Sequence, residues 1–228
     1  ENMENSLIVL KLISVVYLFV LLPVYIVHVK NHERTEKPKL KLALSIVFCS
    51  SGLIGATLND FSLYAVFILL GLMLSLAGDY FLIYLESDIK KYTTGILCFG
   101  LTHLSFLISM LLAAGFFLPN LFVSIVIYGL LIYYANKKKI DFGEVKYALS
   151  AYSLLIVLMT VKALSMIYFS PYHMVSRLFM ALGASLFISS DIFLLIYEYM
   201  DGKYKFRILN SIAYFTGQLL IAASLFYT

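Results

Sequence analysis

The chain has 228 residues, of which 62% are hydrophobic and only 13% charged, and its mean hydropathy is +0.93. That composition leaves a water-soluble fold too little polar surface to cover itself. The formal charge of +4 is modest, and no motif for binding nucleic acid is present. Long apolar runs without strand-like alternation predict helices, which satisfy their own backbone hydrogen bonds in lipid. The expected fold is therefore all-α: a polytopic membrane bundle of about eight helices, each long enough for the ~30 Å hydrocarbon core.

In chain order, the predicted helices fall near residues 6–28, 41–58, 62–85, 92–114, 118–135, 146–170, 173–198 and 207–227, in a single transmembrane domain over 1–228. The first run lacks a small-residue cleavage pattern and is read as a helix rather than a signal peptide. Cys49 and Cys98 fall inside apolar segments, where small buried thiols are common, and no cluster of metal ligands is evident.

Basic residues gather in the odd loops: Lys30, Arg34, Lys37, Lys39 and Lys41, then Lys90 and Lys91, then Lys137, Lys138, Lys139 and Lys146, then Lys203, Lys205 and Arg207. These are 14 of the 17 Lys and Arg residues, so the odd loops are expected in the cytoplasm and both termini on the other side. Lys11 is expected to snorkel near the outer end of the first helix. Lys162 lies deeper than the basic loops and is expected to pair with a carboxylate or to line a polar path.

Ionisable residues inside apolar segments are costly and usually serve a task. Asp79 follows Leu76-Ala77-Gly78, Asp191 follows Ser189-Ser190, and both precede large apolar residues. The two lie 112 residues and four helices apart, as a parallel four-plus-four repeat would place them. Gly71, Ser75 and Asp79 share one helix face, as do Gly183, Phe187 and Asp191. His103 and Gln218 enter the same layer from the fourth and eighth helices. His103 or Gln218 alone reads more readily as interhelical glue, the pair of aspartates as a functional site.

Lys37-Pro38, Gly78-Asp79, Phe99-Gly100-Leu101-Thr102-His103, Tyr152 with Met159, Arg177 leading into Leu182 to Asp191, and Gln218-Leu219-Leu220-Ile221-Ala222 stand in this order along the chain. Together they resemble the YhhN-like lysoplasmalogenases. Lys162, where an arginine is expected, and Gly217, where alanine is usual, depart from that pattern. The resemblance implies hydrolysis of the vinyl ether bond of a lysoplasmalogen, giving a fatty aldehyde and a glycerophosphoethanolamine or glycerophosphocholine, in a multi-pass protein of a bacterial inner membrane.

On that reading Asp79 and Asp191 are the catalytic acid and base. His103, Gln218, Lys37, Lys39, Arg177 and Ser190 are the candidate substrate-binding residues. The partners expected are a lysophospholipid substrate and membrane lipids, with no metal or organic cofactor. The oligomeric state and head-group preference are left open. Two other classes remain: a proton-coupled transporter, for which a repeat with intramembrane carboxyls is equally natural, and an intramembrane aspartyl protease. The latter's Gly-x-Gly-Asp and Tyr-Asp signatures are broken here by Leu76 and Ser190.

Overall fold

The computed structural model describes residues 2–31, 38–83, 88–200 and 202–228. Among these the secondary structure is entirely helical, and eight helical spans are long and apolar enough to cross a membrane. The chain is an all-α, multi-pass integral membrane protein. Exposed Phe19, Leu12, Phe122 and Leu130 carry the apolar exterior that lipid, but not water, accepts.

The first span is not one regular helix. It comprises α1 (Asn2–Val16), a π turn over Tyr17–Leu21, and α2 (Leu22–Asn31). Pro23 has no N–H to give the carbonyl four residues back, and its ring crowds that turn, so the ladder shifts register there. The fully buried Tyr17 in this turn donates its hydroxyl to the Phe215 carbonyl at 3.3 Å, which fastens the bulge to the last helix.

The remaining helices are α3 (Pro38–Leu58), α4 (Leu63–Leu82), α5 (Ile89–Ala114), α6 (Leu118–Lys137), α7 (Lys146–Phe169), α8 (Met174–Tyr199) and α9 (Lys205–Ser224). Short 3-10 turns at Gly143–Val145 and Leu225–Tyr227 precede α7 and follow α9. Local chemistry sets many of the ends. The Ser62 hydroxyl accepts from the Ala65 N–H, and the Asp88 carboxylate from those of Lys90 and Lys91. Gly115, at φ 64°, ends α5 in a conformation that costs other residues strain.

Lys162 finds its partner at this α5 terminus. Its ammonium lies 2.6 Å from the Gly115 carbonyl and 3.4 Å from that of Ala114, so it caps the negative end of the α5 dipole instead of pairing with a carboxylate.

The pairings recur between the two halves. α4 packs on α5 as α8 packs on α9, α3 on α4 as α7 on α8, and α5 on α7 as α9 on α3. Side chains repeat as well: Gln218 of α9 reaches Ser75 of α4, and His103 of α5 packs on Phe187 of α8, which occupies the place corresponding to Ser75. Close approaches lock these pairs. A β-carbon at Gly71 would sit 2.3 Å from the Phe106 ring, and one at Gly183 would sit 2.8 Å from the Gly217 carbonyl oxygen.

Candidate functional site

Asp79 lies in the last turn of α4, almost wholly buried, because Gly71, Ser75 and Asp79 follow one face turned into the bundle. Its Oδ2 accepts the Ser45 hydroxyl of α3 at 2.6 Å and the Tyr214 hydroxyl of α9 at 2.7 Å. The Lys41 ammonium, also on α3, stands 4.0 Å from Oδ1. Lys41 and Ser45 are one helical turn apart, which puts a cation and a hydroxyl on the same face toward one carboxylate. Lys41 was counted above among the loop cations; it is instead a buried member of α3.

Asp191 lies on α8, and its Oδ2 accepts the Tyr152 hydroxyl of α7 at 2.5 Å. In both halves the helix preceding the aspartate thus supplies a hydroxyl donor, Ser45 for Asp79 and Tyr152 for Asp191. Hydrogen bonds of this length hold each carboxyl in one orientation.

A row of aromatic rings connects the two carboxylates. Tyr214 packs on Phe187 with centroids 5.3 Å apart, Phe187 on His103 at 4.6 Å, and His103 on Tyr152 at 5.0 Å. Phe99 closes the row against both Phe187 and Tyr214, at 6.1 and 5.8 Å. Nearly all meet edge to face, an arrangement that aromatic quadrupoles favour.

Asp79 and Asp191 border one cavity of about 990 Å³. Phe99, Phe187, Tyr214 and Phe215 lie at its deep end, while Lys146, Glu198, Arg207 and Asn210 line it toward the end of the bundle that carries the basic loops. The cavity is therefore amphipathic: charged at the mouth, with two carboxyls and aromatic rings below.

The other sequence candidates occupy different places. His103 is fully buried behind Phe187 and Tyr152, outside the cavity lining, and neither of its ring nitrogens has a hydrogen-bond partner. Gln218 is also fully buried outside the lining. Its amide donates to Ser75 at 2.8 Å, and Ser75 continues to Thr102 at 3.2 Å, while the amide oxygen is unpartnered. Ser190 turns its hydroxyl back to the Phe187 carbonyl at 2.7 Å.

Arg177 lies at the opposite end of α8, where it donates to the Ile167 carbonyl at 2.8 Å and helps cap α7, remote from the cavity mouth. Lys39 is exposed and does not line the cavity. Lys37 falls outside the described residues.

The cavity also contains groups that sequence reasoning did not single out as site residues: Lys41, Tyr152, Tyr214, Arg207 and Asn210. One signal was present. Tyr214 precedes Gln218 by one turn, so an intramembrane glutamine marks the face of α9 that also carries a tyrosine to Asp79. Both cysteines are free thiols, and Cys49 contacts the Leu72 carbonyl at 3.2 Å as a buried group often does.

No curated protein and no solved structure gives a match to the chain. The model of the YhhN family matches residues 34–225, most of the chain and including every residue of the site just described, and the protein belongs to that family.

Proposed function

We propose that the protein hydrolyses the vinyl ether bond of a lysoplasmalogen. The observation that carries this reading is that two carboxyls, Asp79 buried and Asp191 half-buried, each oriented by a tyrosine hydroxyl, border one amphipathic cavity with aromatic walls and cations at its mouth. Family membership points the same way.

A vinyl ether is cleaved by adding a proton to its β-carbon. The electron pair of the double bond forms the new C–H bond, and the ether oxygen shares the resulting positive charge as an oxocarbenium ion. Water adds to the cationic carbon and loses a proton, giving a hemiacetal. That collapses to the fatty aldehyde and the glycerol hydroxyl. The reaction needs one proton donor and one acceptor, as paired carboxyls provide in glycoside hydrolysis.

The surroundings of the two carboxyls support one division of roles. Asp79, with Lys41 as counter-cation and two hydroxyl donors, is the carboxylate that takes the proton from water. Asp191, whose Oδ2 is engaged by Tyr152, carries the proton on its other oxygen and delivers it to carbon. Phe99, Phe187 and Tyr214 line the cavity with the two carboxyls, and their rings stabilise a transient cation. Lys146 and Arg207 receive the phosphate at the mouth, and the basic end of the bundle faces the cytoplasm.

Purified protein in detergent, given a vinyl-ether lysophosphatidylethanolamine and its ester-linked counterpart, is expected to release fatty aldehyde from the first and no fatty acid from the second. Absence of aldehyde from vinyl-ether lysolipids of either head group sinks this reading.

A further inference from the structure

The cavity has a floor but one thin wall. The rings of Phe99, Phe187, Tyr214 and Phe215 pack on one another across its deep end, so a long hydrocarbon chain entering from the charged mouth cannot continue down the bundle axis. It has to leave sideways.

The side wall is α6, the least buried of the eight spans, with Ser124 its one buried residue. α6 takes its packing from α7, to which Tyr128–Ser150 and Asn120–Ser165 hydrogen bonds of 2.6 and 2.8 Å fasten it. Between α6 and α8, which pack on each other far less than α6 does on α7, runs a seam; on its α8 side Ile188, Ile192 and Leu195 line the cavity, and Ile192 is 44% exposed. Apolar lining on one side and lipid-facing surface on the other meet along this seam.

Gly129 is the one glycine of α6. In a helix interior glycine is less favourable than alanine, so its presence usually has a packing reason. Gly52, Gly55, Gly71, Gly78, Gly95, Gly183 and Gly217 have such a reason, since a β-carbon at each would meet another atom within 3.0 Å. At Gly129 a β-carbon would meet nothing within 4 Å, yet the residue borders the cavity. Ile132 and Ala135, on the same face of α6, border it too. Gly129 lies eight residues from the Lys137 end of α6, and Asp191 lies eight residues from the Tyr199 end of α8. Both are thus roughly 12 Å below the basic end of the bundle.

We infer that the α6–α8 seam is a lateral portal for the hydrocarbon tail of a single-chain lipid, with Gly129 as its threshold. The tail crosses α6 at the level of Asp191 and extends into the surrounding bilayer or detergent, while the head remains at the charged mouth. Side-chain bulk at residue 129 therefore sets the longest chain the cavity accepts. This rests on the cavity being the lysolipid site proposed above.

The test uses the full-length protein with Gly129→Trp, with Ile132→Trp as a second obstruction and Leu130→Ala, on α6 but outside the cavity lining, as a control. Turnover is measured on vinyl-ether lysolipids with a short chain that ends inside the cavity and with a long chain. Both tryptophan variants are expected to lower the long-chain to short-chain activity ratio by about tenfold or more, and Leu130→Ala to leave it unchanged. An equal fall for both chains, or none, overturns the portal. A parallel binding arm measures displacement of a fluorescent long-chain lysophosphatidylethanolamine. If wild type binds this probe but hydrolyses no vinyl ether, and Gly129→Trp weakens binding of long chains alone, the portal stands while the assigned reaction fails. Unaltered binding of long chains by the tryptophan variants removes the portal whatever the activity.

Discussion

Asp191→Asn and Asp79→Asn are each expected to lower aldehyde release by about 10²–10⁴-fold, the range that a positioned acid or base contributes. Asparagine keeps the size of the side chain and still accepts the Tyr152 or Tyr214 hydroxyl, so the helices have little reason to move. What is lost is the exchangeable proton or the negative charge. Because the two groups act on one substrate in consecutive steps, the double variant is expected to be no less active than the worse single variant, as for other residues that work as a unit. Binding of a lysolipid probe is the control: it should change little, which separates lost chemistry from lost folding. A variant that keeps more than a tenth of wild-type turnover removes that aspartate from the mechanism. Loss of probe binding together with activity makes its role structural.

Gly183→Val is expected to have the largest effect on stability among single changes remote from the carboxyls. The added β-carbon would stand 2.7 Å from Ile221 Cγ1, 2.8 Å from the Gly217 carbonyl oxygen and 3.1 Å from the Ile221 nitrogen. Two of these are backbone atoms and cannot swing aside, so α8 and α9 must separate. Overpacking of this kind costs about 1–3 kcal/mol. It also reaches the site, because α8 carries Asp191 while α9 carries Tyr214, the hydroxyl donor to Asp79. Thermal unfolding in detergent should show a clear drop in Tm, accompanied by reduced turnover. Gly100→Ala is the contrast: its β-carbon would meet only Leu155 Cδ1 at 3.7 Å, an ordinary contact, and no loss is expected. A Gly183→Val protein as stable as wild type contradicts the close crossing of α8 and α9.

Composition alone made the membrane bundle legible, because a chain this apolar has few other solvents, and the spans follow from the length a helix needs to cross lipid. The π turn in the first span was not anticipated. Pro23 was visible in the sequence, but whether a proline kinks, ends or bulges a helix depends on what neighbouring helices offer the freed groups, here the carbonyl that receives Tyr17.

The candidate site was legible only in part, and the division has a physical cause. Asp79 and Asp191 stood out because a carboxyl within an apolar run is costly whatever its neighbours. Lys41 and Arg207 did not, since cations at helix ends already have a sufficient explanation in membrane topology. Tyr152 appeared only as part of a motif, and Tyr214 not at all. Among 18 tyrosines nothing local distinguishes Tyr152 and Tyr214, whose hydroxyls reach a carboxylate on another helix. Arg177 shows the converse. It belongs to a motif that leads directly to Asp191, yet the length of α8 carries it to the other end of the bundle, where it caps a helix. Lys162 likewise serves a carbonyl terminus rather than a carboxylate, and only the packing of α5 against α7 reveals it.

The central claim is that a carboxylic acid in this cavity protonates carbon, and the most direct measurement is the isotopic composition of the aldehyde formed in deuterium oxide. The proton added to the β-carbon becomes one of the hydrogens on the carbon next to the aldehyde group. Wild-type protein acting on a vinyl-ether lysolipid in deuterium oxide is therefore expected to release aldehyde carrying one deuterium at that carbon, and to do so more slowly than in ordinary water. Aldehyde released without deuterium there, or no aldehyde from a folded protein that binds the lipid, contradicts the account.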